Sequence, residues 1–104
     1  MGLLKGILEE EMQRSERNIK RYEEMLLTLP RGSLFLITVG SSTYAYRKRR
    51  EKDKIISEYL GDVKNEETQK QIELSNEYKR IKNNIRIAKG ELYKLRKAYR
   101  AYGE

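Results

Sequence analysis

The order of hydrophobic and polar positions divides the chain into two helical segments with a β-patterned segment between them. In the C-terminal segment, nine apolar or aromatic residues from Leu74 to Tyr102 recur at alternating spacings of four and three. Such a heptad seam is typical of a long amphipathic helix that packs against another helix. Asn65 is a suitable N-cap, and two glutamates follow it where the helix dipole favours acids. The pattern predicts one helix over residues 66–102.

A second heptad seam, with one polar member, lies in the N-terminal segment. Pro30 disfavours a helical conformation in the residue before it, and Gly32 follows closely. The seam therefore predicts a helix over residues 3–28. Its members are Met12, Ser15, Ile19, Tyr22, Leu26 and Leu29.

Between the two helices, β-branched and aromatic residues cluster, and turn signals interrupt them at short intervals. Three strands are predicted, over residues 33–39, 43–49 and 54–60, with a tight turn after the first and a strongly polar turn after the second. Together they form an antiparallel β-meander over residues 33–60. A helix over residues 48–60 stays open as an alternative, because the charged residues there also suit a helix.

Two amphipathic helices joined by a small sheet can fold back on each other and bury both seams. The predicted fold class is α+β, mostly helical: an antiparallel coiled-coil helical hairpin joined by a three-stranded β-meander, in a single domain of residues 1–104. The second helix is longer, so its tip would extend about 16 Å past the first and leave Leu95, Tyr99 and Tyr102 uncovered. Either residues 66–73 lie against the sheet and shift the register, or a second copy covers the tip. We expect a homodimer.

Positive charge is concentrated in two places. The chain has 23 Lys or Arg against 16 Asp or Glu, a formal net charge of +7. Bases and acids balance up to Tyr78, so the whole surplus lies in residues 79–104, on the C-terminal half of the second helix. Residues 47–54 hold a second concentration, with six bases and two acids. Clustered positive charge attracts anionic partners such as nucleic-acid phosphates.

The outer hairpin around residues 47–54 carries the stronger indication of nucleic-acid binding. Its tyrosines and bases alternate onto one strand face, which could stack on bases and contact phosphates at once. The alternative is that Tyr44 and Tyr46 are simply the core face of the sheet, packed on the first or the second helix. The neighbouring bases are too many for all of them to be core residues. The candidate nucleic-acid-binding residues here are Arg47, Lys48, Arg49, Arg50, Lys52 and Lys54.

The basic face of the second helix is a further candidate surface for nucleic acid. Its bases could instead form a solvated face that is partly paired with glutamates of the first helix, and both interpretations stay open. The candidate nucleic-acid-binding residues on this helix are Arg86, Lys89, Arg96, Lys97 and Arg100.

Histidine and cysteine are both absent from the sequence. Their absence removes thiol nucleophiles, disulfides, the usual general base of hydrolases and most metal sites with nitrogen or sulfur ligands. The glycines are scattered and form no phosphate-binding loop. We therefore expect no enzyme activity, catalytic residue, metal, cofactor or small-molecule substrate. The longest apolar run is too short to span a membrane and no targeting signal is visible, so we expect a cytoplasmic protein.

Three short motifs stand in the central segment: Leu29-Pro30-Arg31-Gly32-Ser33-Leu34, Thr43-Tyr44-Ala45-Tyr46-Arg47 and Tyr59-Leu60-Gly61. Together they resemble a widespread group of small prokaryotic proteins with a three-stranded sheet between two coiled-coil helices. Members of that group often occur near phage or mobile-element genes. More loosely, the sheet is similar to the arm-type DNA-binding domains of phage integrases, which place a small sheet in the major groove. The resemblance implies the fold and gives little information on function.

Two functions remain after these exclusions. The first is a non-enzymatic protein that binds DNA, RNA, or an anionic protein or ribonucleoprotein through the outer hairpin and the basic helix. The alternative is a protein-interaction module, for instance an inhibitor encoded by a phage or mobile element, that acts through the coiled coil. The candidate interaction residues are Tyr44, Tyr46, Leu95, Tyr99 and Tyr102.

Overall fold

The structure, a computed structural model, describes residues 2–102 of the chain. Two helices flank a three-stranded antiparallel sheet in the sequence, which confirms the predicted α+β, mostly helical fold class. The elements in chain order are α1 (Gly2–Leu26), β1 (Ser33–Val39), β2 (Ser42–Glu51), β3 (Lys54–Asp62) and α2 (Glu66–Tyr102).

The ends of the elements follow from local hydrogen bonds. α2 has the predicted bounds, and the Asn65 side chain caps it by accepting a hydrogen bond from the Glu67 backbone N–H at 2.8 Å. α1 ends at Leu26, two residues before the predicted end, where its carbonyl accepts the Leu29 N–H at 3.1 Å. The alternative of a helix over residues 48–60 is wrong, because these residues form the end of β2, the turn after it and most of β3.

The described chain forms two compact units that share α2. The helical unit contains α1 up to Met25 and α2 from Ile81 onward. The sheet unit is Leu26–Arg80, so it includes the first turns of α2. α2 is therefore one continuous helix whose two parts pack against different elements.

In the helical unit, α1 and α2 pack antiparallel, as the two heptad seams predict. Its buried apolar side chains include Ile19 of α1 and Ile81, Ile85 and Leu92 of α2, all of which are seam positions. Side-chain contacts join the helices in antiparallel order: Glu23 to Lys89 at 3.7 Å, Glu16 to Arg96 at 3.2 Å, and Glu9 to Tyr99 at 2.8 Å.

The predicted overhang of α2 is not found among the described residues. Tyr99 donates a hydrogen bond to Glu9 of α1, and Leu95 is half-buried, although Tyr102 is exposed. Of the two alternatives, the structure has the first: the turns of α2 that include residues 66–73 lie on the sheet, and only later residues pair with α1. The overhang was one reason to expect a homodimer, and without it the homodimer and the coiled-coil interaction module stay predictions.

In the sheet unit, β2 is the central strand and pairs antiparallel with β1 and β3. The β1–β2 turn places Gly40 in the left-handed region at φ 63°, as the first position of a tight hairpin turn demands. A β-bulge lies in the β2–β3 ladder: Ala45 pairs with Gly61, whereas Tyr46 pairs with Tyr59. The bulge advances β3 by one residue and sets which of its side chains lie beside the β2 tyrosines.

Candidate functional site

The two faces of the sheet differ in where the aromatic side chains lie. Alternation along β2 places Ala45 and Arg47 on one face, and both are buried beneath the first turns of α2. The β2 positions buried on this face are therefore one small residue and one charged residue, and Leu34 and Leu36 of β1 pair with them on the same face. We call the opposite face the aromatic face; it carries Phe35, Tyr44, Tyr46, Lys48, Arg50 and Tyr59.

Arg47 lies inside the sheet unit rather than on its surface. Its side chain is only 3% exposed, and its Nε donates to the Ser75 hydroxyl at 2.9 Å. Nη2 donates to the Gln71 backbone carbonyl at 3.2 Å and to Gln71 Oε1 at 2.9 Å, while Nη1 lies 3.3 Å from Glu58 Oε1. These partners satisfy the buried guanidinium. The prediction that Arg47 contacts nucleic acid is therefore wrong, because this arginine joins the sheet to α2.

A row of aromatic rings crosses all three strands on the aromatic face. The Phe35 ring stacks on the Tyr46 ring, with centroids 5.2 Å apart and planes 16° apart. The centroid of the Tyr59 ring lies 5.3 Å from that of Tyr46 and 6.3 Å from that of Tyr44. Tyr59 is 58% exposed, and the other three residues are half-buried. Tyr44 and Tyr46 therefore lie on the face opposite to the one that packs on α2.

Positive charge borders this aromatic row on one side. The Lys48 Nζ lies 5.1 Å from the centroid of the Phe35 ring, within the range of a cation–π contact. Arg50, two residues further along β2, is on the same face and is exposed. Ser33 and Ser57 pair with Lys48 on either side and add short hydroxyl side chains. Aromatic surface, hydrogen-bonding groups and cations thus lie side by side on one face.

The β2–β3 turn extends the positive charge beyond the sheet. Lys52 occupies the turn in the left-handed conformation, at φ 54°, and is exposed. Arg31, from the segment before β1, reaches this end of the sheet and donates its Nη2 to the Arg50 carbonyl at 3.1 Å. A shallow depression there is lined by Arg31, Arg50, Glu51, Lys52, Asp53, Lys54 and Ile56.

Arg49 lies on the same face as Arg47 and is paired with acids. Its Nε contacts Glu51 Oε1 at 2.9 Å, and its Nη1 lies 3.5 Å from Glu58 Oε1. The hydrogen bond and charge of Arg49 lower the pKa of the Glu51 carboxyl below its ordinary value, and the charge of Arg31 lowers it further. Much of the positive charge of Arg49 is therefore already matched within the sheet.

Replacing Arg49 with Gln is expected to raise the pKa of Glu51 toward the ordinary glutamate value. Because the pKa is lowered in the folded state, the contact with Arg49 stabilises the fold above the ordinary pKa. That stabilisation is lost as the pH falls through the lowered value. Carboxyl-detected NMR titration of both proteins measures this. Glu77, whose pKa is lowered by Arg80, is the internal control and should not move. An unchanged Glu51 midpoint in the variant contradicts the assignment.

The predicted basic residues of α2 are divided between paired and open positions. Lys89 and Arg96 contact Glu23 and Glu16 of α1, and Arg86 donates to the Asn83 side chain at 2.9 Å. Lys97 and Arg100 are exposed, and neither has an acidic partner within residues 2–102. The solvated-face interpretation thus describes part of this surface.

Sequence reasoning missed Phe35, Tyr59 and Arg31 as members of the site. Alternation along each strand could place Phe35 and Tyr59 on one of two faces, but the face they share with Tyr46 depends on the strand register. The bulge after Ala45 changes that register, and no residue spacing marks it. Arg31 lies 19 residues from the carbonyl that it contacts, beyond the reach of local patterns.

Two other kinds of site are absent from residues 2–102. No three Asp or Glu side chains there come together in a way that could hold a metal ion. Neither α1 nor α2 is long and apolar enough to cross a membrane.

Comparison with known proteins gives no family assignment. The sequence matches no family model and no curated protein, and the structure matches no solved structure. The resemblances of the three central motifs therefore stay predictions.

Proposed function

We propose that this protein binds single-stranded nucleic acid through the aromatic face, without catalysing a reaction. Bases stack on the row that ends in Tyr59, and phosphates are held by Lys48, Arg50 and the β2–β3 turn. The observation that supports this most is the distribution of aromatic residues. The sheet packs Ala45 and Arg47 on α2 and keeps its four aromatic side chains on the other face.

This distribution is the reverse of what fold stability alone favours. Aromatic side chains bury large apolar areas, so a sheet whose only task is to pack on a helix gains most by turning them toward that helix. Here the sheet positions buried under α2 hold Ala45 and Arg47 instead, and the buried residues Thr68 and Ser75 of α2 lie above them. Aromatic residues kept on an exposed face beside cations are typical of surfaces on which unpaired bases stack.

The conformation of Lys52 supports a role for the turn. A residue other than glycine in the left-handed region costs of order 1 kcal/mol or more, and glycine or asparagine would fit this turn position better. Lysine at φ 54° keeps a positive charge at the tip of the hairpin despite that cost. Such a charge is well placed to contact a phosphate beside Arg50.

Replacing Tyr59 with Leu is expected to weaken binding of a fluorescent 20-nucleotide single strand by about 5- to 150-fold, the effect of removing one stacked base. Fluorescence anisotropy at low salt measures it. The matched control is Tyr93→Leu on α2, because Tyr93 is exposed to a similar degree, 64% against 58%. The control should bind as the wild type does. Absence of wild-type binding at low salt, or equal weakening of binding in both variants, would contradict the proposal.

The charged part of the surface has its own test. The double variant Lys48→Gln with Arg50→Gln should weaken binding and make the slope of log affinity against log salt shallower, by about 0.7 for each phosphate that is no longer neutralised. The double variant Lys97→Gln with Arg100→Gln removes the same charge from the helical unit. If both double variants bind equally weakly, binding is diffuse attraction to a basic chain.

A duplex of the same sequence should bind more weakly than the single strand.

A further inference from the structure

β1 is an edge strand, and it lacks the charges and prolines that usually prevent an edge from pairing with another strand. It forms one side of the sheet, and no backbone hydrogen bond within residues 2–102 joins it to an element other than β2. Its sequence, Ser33–Val39, contains no charged residue and no proline. Leu36 is 54% exposed, and Ile37 and Val39 are exposed as well. An apolar, uncharged edge of this kind is a template for pairing with another strand.

The other edge of the sheet is protected. β3 carries Lys54, Glu58 and Asp62, and the bulge opposite Ala45 distorts its ladder. Charges and bulges are the usual means by which natural sheets prevent edge-to-edge association. The contrast between the two edges indicates that pairing is prevented at β3 and permitted at β1.

We infer that β1 pairs antiparallel with β1 of a second copy of this chain, about a two-fold axis at Leu36, and joins the two sheets into one of six strands. Leu36 is the middle residue of the seven in β1, so this axis pairs the strand along its whole length. Phe35 then lies opposite the second copy's residue 37, and Ser33 opposite its residue 39. Directly opposed residues share a face, so the apolar residues of the two copies meet.

Charge on the flanks of β1 is compatible with this pairing. The nearest charged residue before the strand is Arg31, and in the same register it lies opposite residue 41 of the second copy, a serine. No like charges are therefore brought together along the new ladder, although the chain carries a net charge of +7. A second copy fits this edge because it brings an uncharged strand of the same seven residues, whose apolar side chains meet those of the first copy in the two-fold register.

Pairing at one edge closes the assembly at two copies. Both β1 edges are paired in the symmetric contact, and the two β3 edges lie at the ends of the six-stranded sheet. Because the β3 edges do not pair, the chain does not polymerise. The two aromatic faces then form one continuous surface, a consequence that rests on the proposed function. The interface itself is tested without nucleic acid, so its failure and that of the proposed function are distinguishable.

Because the chain has no cysteine, a single introduced thiol reports on the pairing. In the Leu36→Cys variant, the two thiols face each other across the two-fold axis, with Cα atoms about 4.5 to 5.5 Å apart, which suits a disulfide. Mild oxidation should give a covalent dimer on non-reducing gels. The matched control is Ile55→Cys on β3, where the native side chain is 59% exposed against 54% for Leu36. Equal cross-linking of the two variants overturns the inference.

The mass in solution tests the same interface without a thiol. Light scattering on the wild type should give twice the 12.4 kDa of the chain. The Leu36→Lys variant should shift to the monomer mass with an unchanged circular dichroism spectrum, because it opposes two like charges at the axis. Ile55→Lys should remain a dimer. A monomeric wild type, an oligomer larger than two, or a dimeric Leu36→Lys variant would each overturn the inference.

Discussion

Replacing Arg47 with Met is expected to lower the free energy of unfolding by about 3 kcal/mol. Met fills similar space but removes all the donors of the guanidinium. The Ser75 hydroxyl and the Gln71 carbonyl would then lie in a buried site without the partner that holds them at 2.9 and 3.2 Å. Glu58 is partly exposed, so water can solvate its carboxylate when the arginine is gone. The ion pair with Glu58 therefore contributes least to the expected loss of stability.

Urea unfolding of the two proteins measures this destabilisation as a lower midpoint with an unchanged slope. The matched control is Arg49→Met, two residues along the same strand and on the same face. Arg49 is partly exposed and pairs with Glu51 and Glu58, so its removal should cost no more than about 1 kcal/mol. Arg47→Lys should not restore stability, because one ammonium group cannot reach acceptors arranged for a planar guanidinium. Equal destabilisation at the two arginines would contradict the role given to Arg47.

Replacing Gly61 with Ala is expected to destabilise the protein by about 2 to 4 kcal/mol. Gly61 has φ 129°, a conformation that residues with a Cβ rarely adopt. An added Cβ would also overlap the hydroxyl of Thr68, the buried α2 residue that donates to the Leu60 carbonyl at 3.2 Å. Backbone strain and disruption of this hydrogen bond between β3 and α2 act together.

Thermal and urea unfolding of the variant test this expectation, with Gly90→Ala as the control of opposite sign. Gly90 lies in α2 with no atom near an added Cβ, so alanine there should stabilise the helix by about 1 kcal/mol. Adding Thr68→Ala to the Gly61 variant should relieve the overlap, so the destabilisations of the two single variants should sum to more than that of the double variant. Strictly additive effects would show that Thr68 is not the obstacle.

The two stability predictions concern contacts that join the sheet to the first turns of α2, where the buried side chains are mainly polar. Ala45 is the apolar side chain buried there, beside Arg47, Thr68 and Ser75. A polar contact region of this kind depends on complete hydrogen bonding, because each buried group left without a partner costs its full desolvation. The same arrangement leaves the aromatic side chains of the sheet for the other face.

Heptad spacing predicted the bounds of α2, since one unbroken seam and a capping asparagine are local features with a single structural solution. β-Branched residues and turns predicted three strands, and alternation predicted which residues of β2 share a face. The helix considered for residues 48–60 was wrong because cross-strand pairing outweighs the helix propensity of a few charged residues.

Alternation alone determines two faces of a strand but cannot tell which of them packs on a helix. The expectation that tyrosines are core and arginines are surface follows transfer free energies, and it fails at Arg47 because Gln71 and Ser75 supply acceptors 24 and 28 residues away. Tertiary structure alone decided that Arg47 is buried, that Tyr59 joins Tyr46 across the bulge, and that α2 divides its length between the sheet and α1. Each depends on side chains brought together by register and packing, which local sequence patterns do not encode.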